Sequence, residues 1–189
     1  QKDSLSRVTE QAKRLGKVVV AGGPYPTSYP EEVLGMGVDH LVLNEAEQTL
    51  SFFVQDFLAG RAEEVYDEKS VGSRTMISLT KEGKPLLDRT PVPLWGLLNI
   101  GEYSSLAVQY SRGCPFNCDF CDITNLYGHQ SRTKKPEQMI KELEAIHATG
   151  WRGSIFIVDD NFIGNRTQVR EFLPYLIRWQ QEHGYPRSE

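Results

Sequence analysis

The sequence predicts an α/β fold with parallel sheets, and three observations predict it. Short continuous apolar runs alternate with segments of helical period up to residue 60, the same rhythm resumes from Leu106, and 39 % hydrophobic against 24 % charged residues over 189 positions describe a globular chain. A chain of this size buries a core without disulfide staples. No apolar run approaches the roughly 18–20 residues of a membrane span, and no signal-peptide pattern opens the sequence. The net charge of −4 divides into 11 basic and 15 acidic residues before Leu106 and 10 of each from there on. With no basic stripe, nucleic acid is excluded as a primary partner. Three cysteines is an odd count, and all lie within residues 114–121, a poor disulfide framework and a good metal cluster. That usage belongs to a reducing compartment, so a cytoplasmic location is expected.

Taken in order, Leu5, Val8, Ala12 and Leu15 recur at helical spacing, and Gly16 stands where a C′ residue ends a helix. Residues 17–21 form an apolar run closed by Gly22-Gly23, the pattern of a buried parallel strand. Pro30, Glu31 and Glu32 suit a first helical turn, because proline lacks a donor that would be unpaired there and acids favour the positive dipole end. Residues 40–43 read as the next strand. Leu50, Phe53, Val54, Phe57 and Leu58 supply the following helix with a stripe to bury, stopped by Gly60. This αβαβα order implies half of a doubly wound domain, its sheet covered on both faces. Residues 74–80 alternate like an exposed strand that Glu82-Gly83 turns back toward 85–87, and Pro91, Pro93 and Trp95 follow without periodicity, as in a linker.

Residues 106–110 read as a strand running straight into the cysteines. Pro136 opens a helix carrying Met139, Ile140, Leu143 and Ile146 and ended by Gly150. Residues 154–158 form another strand, and Val169, Phe172, Leu173, Leu176 and Trp179 mark a last helix, which Pro174 should kink. Residue 1 is Gln, the chain stops just after a second βα unit, and a two-strand parallel sheet cannot close a barrel. Sequence missing on both sides is therefore expected.

Cys114-Pro-Phe-Asn-Cys118-Asp-Phe120-Cys121 is the most specific feature. Three thiolates bind iron or zinc, whereas a closed structural site wants four ligands. A [4Fe–4S] cluster held here leaves one iron open for a substrate or cofactor, at the strand end where α/β sheets place their ligands. Zinc completed by His129 or water, or inert buried thiols, are the alternatives. The CxxxCxxC spacing, Phe120 before the third cysteine and the lead-in Tyr110-Ser111-Arg112-Gly113 resemble the radical S-adenosylmethionine (SAM) enzymes. The resemblance implies that Cys114, Cys118 and Cys121 hold the cluster, that SAM chelates the fourth iron and is cleaved by one electron to a 5′-deoxyadenosyl radical, and that Phe120 lies near the adenine.

Asp159-Asp160-Asn161 follows the 154–158 strand. Adjacent carboxylates repel unless something cationic compensates, and the radical SAM resemblance puts the SAM ammonium group at this strand end. That family usually carries a Gly-Gly-Glu-like stretch there, so which of the three side chains makes the contact is left open. Strand alternation sets Asp159 and Asn161 on one side and Asp160 on the other. The alternative is capping and loop solvation ahead of the last helix.

Gly22-Gly23 permits positive φ and close approach of a ligand. Residues 17–60 resemble the C-terminal half of a cobalamin-binding, Rossmann-like domain, in which a glycine pair packs beside the nucleotide tail of B12. The family's Asp-x-His-x-x-Gly loop belongs upstream of these residues, and 44–47 (Asn-Glu-Ala-Glu) depart from its Gly-Glu-Gly-Glu. A Rossmann-like lid without cobalamin is the alternative. His40, His129, His147 and His183 read as surface or helix-end residues rather than ligands.

The fold class implied is thus the C-terminal half of a Rossmann-like cobalamin-binding domain (1–70), a hairpin and linker (71–105), and the start of a radical SAM partial (β/α) barrel (106–189). Residues 110–125 and 158–165 look most like the hopanoid methylase group. The expected function is a radical SAM enzyme with a [4Fe–4S] cluster, SAM and cobalamin, methylating an unactivated carbon of a small, apolar, lipid-like substrate with an external electron donor. Cyclisation or rearrangement by the same cofactors and a non-catalytic zinc-binding module are the rivals, and no catalytic side chain is identified.

Overall fold

A computed structural model describes residues 2–71 and 80–184, and the chain splits into two compact units, Gln1–Pro85 and Leu86–Glu189. Among the described residues no helix is long and apolar enough to cross a membrane.

The first unit is a three-stranded parallel sheet, β1 (Val20–Gly22), β2 (His40–Val42) and β3 (Val65–Tyr66), in that order. Among the described residues five helices accompany it: α1 (Lys2–Arg14), α2 (Pro24–Ser28), α3 (Pro30–Leu34), α4 (Ala46–Leu58) and α5 (Glu68–Val71). Both sheet faces are covered, as expected of a doubly wound unit. Ala21, Leu41 and Leu43 pack with Val33 and Val38, while Val42 packs with Phe53 and Tyr66.

The sequence expectation overstated burial here. Val18 and Val20 are exposed, because β1 is an edge strand among the described residues. Of the stripe expected on α4 only Phe53 is buried, and on α1 Leu5 reaches the core while Val8 faces out, as does Leu15 just past the helix end. Sequence reading missed β3, whose two residues are too few to show a period. The expected turn at Glu82-Gly83 is present, with Gly83 donating its N–H to the Thr80 carbonyl at 3.0 Å. Positions 74–79 of the expected hairpin strand lie outside the described residues. The chain turns back there, Thr80 donating its N–H to the Lys84 carbonyl at 2.8 Å and Pro85 standing in a β-bridge, before Leu87–Arg89 forms a 3₁₀ turn.

The second unit is built on β4 (Ser105–Val108) and β7 (Ser154–Ile157), parallel and paired Ser105 to Ser154 through Val108 to Ile157. Between them lie β5 (Ser111–Arg112), α6 (Ile123–Tyr127), β6 (Arg132–Thr133) and α7 (Pro136–Ala148), and α8 (Arg166–His183) follows. One sheet face carries the core. Leu106, Val108 and Tyr110 meet Met139, Leu143 and Ile146 of α7 and Val169, Phe172 and Trp179 of α8. Ile140 and Leu176 are partly buried against this core, as their helical spacing predicts, whereas Leu173 points outward. Asn165 caps α8 by accepting the Gln168 N–H, and the helix stays continuous through Pro174. Residues 86–105, featureless in the sequence, wind through short 3₁₀ turns whose Trp95, Leu98 and Ile100 pack on the same core.

A buried ion pair lies in this unit. Lys134, beyond β6, binds Glu142 of α7, with 4 % and 2 % of their surfaces exposed. Breaking such a pair leaves an uncompensated charge, whereas replacing both partners by apolar residues does not. Lys134→Met should therefore destabilise the unit by about 3–5 kcal/mol, and adding Glu142→Leu should recover most of the loss. All three tryptophans (95, 151 and 179) lie in this unit, so denaturant unfolding followed by tryptophan fluorescence reads it alone.

Candidate functional site

The cysteines sit on a loop that β4 delivers and a small ladder closes. β5 and β6 pair antiparallel, Ser111 with Thr133 and Arg112 with Arg132, so that residues 113–131 form an excursion held at its base. Gly113 starts it at φ +85°, and a Cβ there would lie 2.6 Å from the Gln130 carbonyl oxygen. Only glycine meets both demands. Cys114 donates its N–H to the Gly128 carbonyl (3.2 Å) and Cys121 to the Cys118 carbonyl (3.0 Å). Cys114 and Cys121 are half-buried, Cys118 is exposed, and Phe120 and His129 point outward on the same loop, Phe120 with 94 % of its surface free.

The three acidic-strand residues all reach this loop. Asp159 accepts the N–H groups of Tyr110 (2.7 Å) and Ser111 (2.9 Å) and the Ser111 hydroxyl (2.6 Å). Asp160 accepts the Gly113 N–H at 3.0 Å. Asn161 donates its side-chain amide to Cys114 Sγ at 3.5 Å. Strand alternation is therefore a wrong guide here. β7 ends at Ile157 and the chain bends, so the three consecutive side chains follow consecutive stretches of one loop. Burial pushes the Asp160 carboxyl above its ordinary range; the Gly113 N–H opposes this, Asp159 reinforces it, and Arg112 and Arg132 draw it back. The carboxylate of Asp160 is thus one that a bound cation would stabilise.

Buried Tyr110 anchors the lead-in. Its ring stacks on Phe172 at 4.5 Å between centroids, and its hydroxyl donates to the Gln168 carbonyl at 3.0 Å. These contacts went unseen in the sequence, as did the β5–β6 ladder, because two-residue strands of Ser-Arg and Arg-Thr carry no pattern.

The donor set fits a polynuclear cluster. Three thiolates on one loop fall short of the four ligands a closed zinc site takes and suit a cluster with one open iron, and the Asn161 amide against the Cys114 sulfur is a hydrogen bond of the kind that tunes such centres.

In the first unit, Gly22 and Gly23 leave β1 for different reasons. A Cβ on Gly22 would lie 2.7 Å from the Val42 carbonyl oxygen, whereas Gly23, at φ +98°, has open space beside it. Asn44, at the exit of β2, takes φ +60°. Asparagine enters this left-handed region more readily than other non-glycine residues, which accounts for the departure from glycine at that position.

No protein-family model matches the chain. It is 43 % identical to an uncharacterized methyltransferase of Synechocystis over 98 % of its own length and 32 % of the relative's. It is 32 % identical to the hopanoid C-2 methylase of Rhodopseudomonas palustris, over 98 % of this chain and 33 % of that one. The chain thus spans about a third of the length of these curated relatives. Among solved structures, the radical SAM methyltransferase TsrM of Kitasatospora setae, with cobalamin and a [4Fe–4S] cluster bound, superposes with a TM-score of 0.68 at 16 % identity, covering 96 % of this chain and 38 % of TsrM. The cobalamin-dependent SAM radical enzyme OxsB gives 0.61 at 18 % identity, covering 91 % and 26 %. The fold is that of cobalamin-binding radical SAM enzymes. In sequence the chain is similar to the hopanoid C-2 methylase and to the uncharacterized methyltransferase of Synechocystis.

Asp159 holds the loop's lead-in through two backbone donors and a hydroxyl, so Asp159→Asn, which sets an amide N–H₂ against one of them, should destabilise the second unit by about 1–3 kcal/mol. Tryptophan-monitored unfolding checks this, and an unchanged midpoint would show that the brace is dispensable.

Proposed function

We propose that the chain belongs to a cobalamin-dependent radical SAM methyltransferase that methylates an unactivated carbon of an apolar substrate. The observation that carries this is the cysteine loop at the exit of β4, held by Asp159, Asp160 and Asn161 from the exit of β7. The names of the sequence relatives and the fold shared with TsrM and OxsB support it. When bound, the cluster with SAM supplies one-electron cleavage of the sulfonium, and cobalamin supplies the methyl group.

The protein's part is to hold, orient and exclude water. Cys114, Cys118 and Cys121 would hold the cluster, their loop kept open by the β5–β6 ladder. Asn161 tunes the Cys114 sulfur through its amide. Asp159 is committed to the loop backbone, so Asp160, whose carboxylate is costly without a cation, is the better partner for the SAM ammonium group. Exposed Phe120 is available to lie against the adenine. Gly23 leaves open space at the end of β1 for the nucleotide tail of cobalamin.

Anaerobic reconstitution with iron and sulfide, reduction, and electron paramagnetic resonance with and without SAM test the cluster. The expected result is a [4Fe–4S]⁺ signal that SAM alters, lost in Cys118→Ala together with all 5′-deoxyadenosine production. A folded protein that takes up zinc and no iron would leave a metal-stabilised module in place of an enzyme.

The cobalamin part has its own check. In a protein extended to the length of its relatives, Gly23→Val should weaken cobalamin binding, followed by the cofactor's visible absorption, while circular dichroism verifies the fold. Unchanged affinity would reduce the glycine pair to a turn.

A further inference from the structure

A second cluster of ligating side chains lies away from the cysteines. α7 leaves the cysteine-loop end of the sheet and ends before β7 begins, and α8 leaves the exit of β7 and returns the same way. Their last turns therefore meet at the end of the unit opposite the cysteine loop. Glu144 and His147 stand three residues apart on α7, hence on one helix face, and His183 closes α8. Their ligand atoms all lie within 4.8 Å of one another, with Glu144 exposed and the two histidines half-buried.

The arrangement has features that chance proximity does not require. His183 Nε2 lies 3.3 Å from Glu144 Oε1, close to the roughly 3.3 Å that a tetrahedral ion with bonds of about 2.0–2.1 Å sets between ligands. His183 Nδ1 lies 2.9 Å from the Trp179 carbonyl, an acceptor that engages Nδ1 and leaves Nε2 as the nitrogen facing Glu144. Metal-bound histidines use their second nitrogen in this way. Trp179 Nε1 donates to Glu144 at 2.7 Å and its ring stacks on His183, so one side chain orients two of the three donors. The His147 ring meets His183 edge-on at 4.8 Å between centroids.

We propose that Glu144, His147 and His183 bind one divalent late first-row transition ion, zinc being the leading case, and that the ion pins the end of α8 to α7. Two imidazoles and one carboxylate suit zinc, cobalt or nickel and not calcium or magnesium, which take all-oxygen shells. Both histidines stand in last helical turns, as the sequence reading has them, and the proposal adds a ligand role to that position. Three protein ligands leave a coordination position for water.

The test uses Co²⁺ as the probe on the 189-residue chain with its three thiols alkylated, which silences the cysteine loop. Isothermal titration should show one equivalent bound, with visible absorption typical of nitrogen and oxygen ligands and quenching of tryptophan fluorescence from Trp179. His147→Gln and His183→Gln, each verified as folded by circular dichroism, should lower the affinity by at least the roughly 10–100-fold that loss of an outer-shell partner costs. No saturable uptake by the folded chain, or uptake that neither substitution changes, would overturn the proposal. Since the thiols are blocked, neither outcome bears on the cluster.

Discussion

The second unit depends on one interaction: the Asp159 carboxylate receiving the backbone donors of Tyr110 and Ser111. Parallel pairing of β4 and β7 brings their exits side by side, and a strand exit leaves N–H groups that the ladder no longer serves. Unpaired buried donors cost about 1–3 kcal/mol each, so some acceptor must meet them. A carboxylate meets two at once and takes the Ser111 hydroxyl as well. The lead-in to the cysteines is therefore fixed from a strand almost fifty residues away, and the loop beyond it can be shaped for ligands instead of for its own stability.

This division of labour explains what could be read in advance. The cysteine spacing is a property of one short stretch and shows at sight. The acidic triplet also stands out, but the task of each member depends on where β7 ends and what lies across from it. Alternation fails because Asp159 is already past the last paired residue, Ile157. Asp159 becomes a brace, Asp160 a strained carboxylate beside the loop, and Asn161 a donor to sulfur, a sequence of roles that residue types alone do not order.

Elements were legible in proportion to their length and the depth of the core they meet. The α7 and α8 stripes come inside nearly as their spacing predicts, because both helices pack on one sheet face with Tyr110 and Phe172 at its centre. The α1 and α4 stripes stay largely outside, because strands of two or three residues offer the first unit little surface to cover. Asn44 shows the same limit at a single residue. Glycine is expected at the exit of β2, yet what the position demands is φ +60°, and asparagine supplies it while bonding Thr27 and Glu68.

The two polar clusters of the second unit divide along the same line of reasoning. At the cysteine end, donors converge on backbone and sulfur, and charge accumulates in Asp159 and Asp160 with Arg112 and Arg132 only partly offsetting it. At the far end, one carboxylate faces two imidazoles, and a tryptophan sets the orientation of the carboxylate and of His183. Between them the buried Lys134–Glu142 pair is closed within itself, its charges matched and withdrawn from water. A buried pair that is complete binds nothing further. Polar groups fixed in position around a point that a ligand would complete are the ones that suit binding, and the two proposed sites of this unit stand at the two ends of its strands.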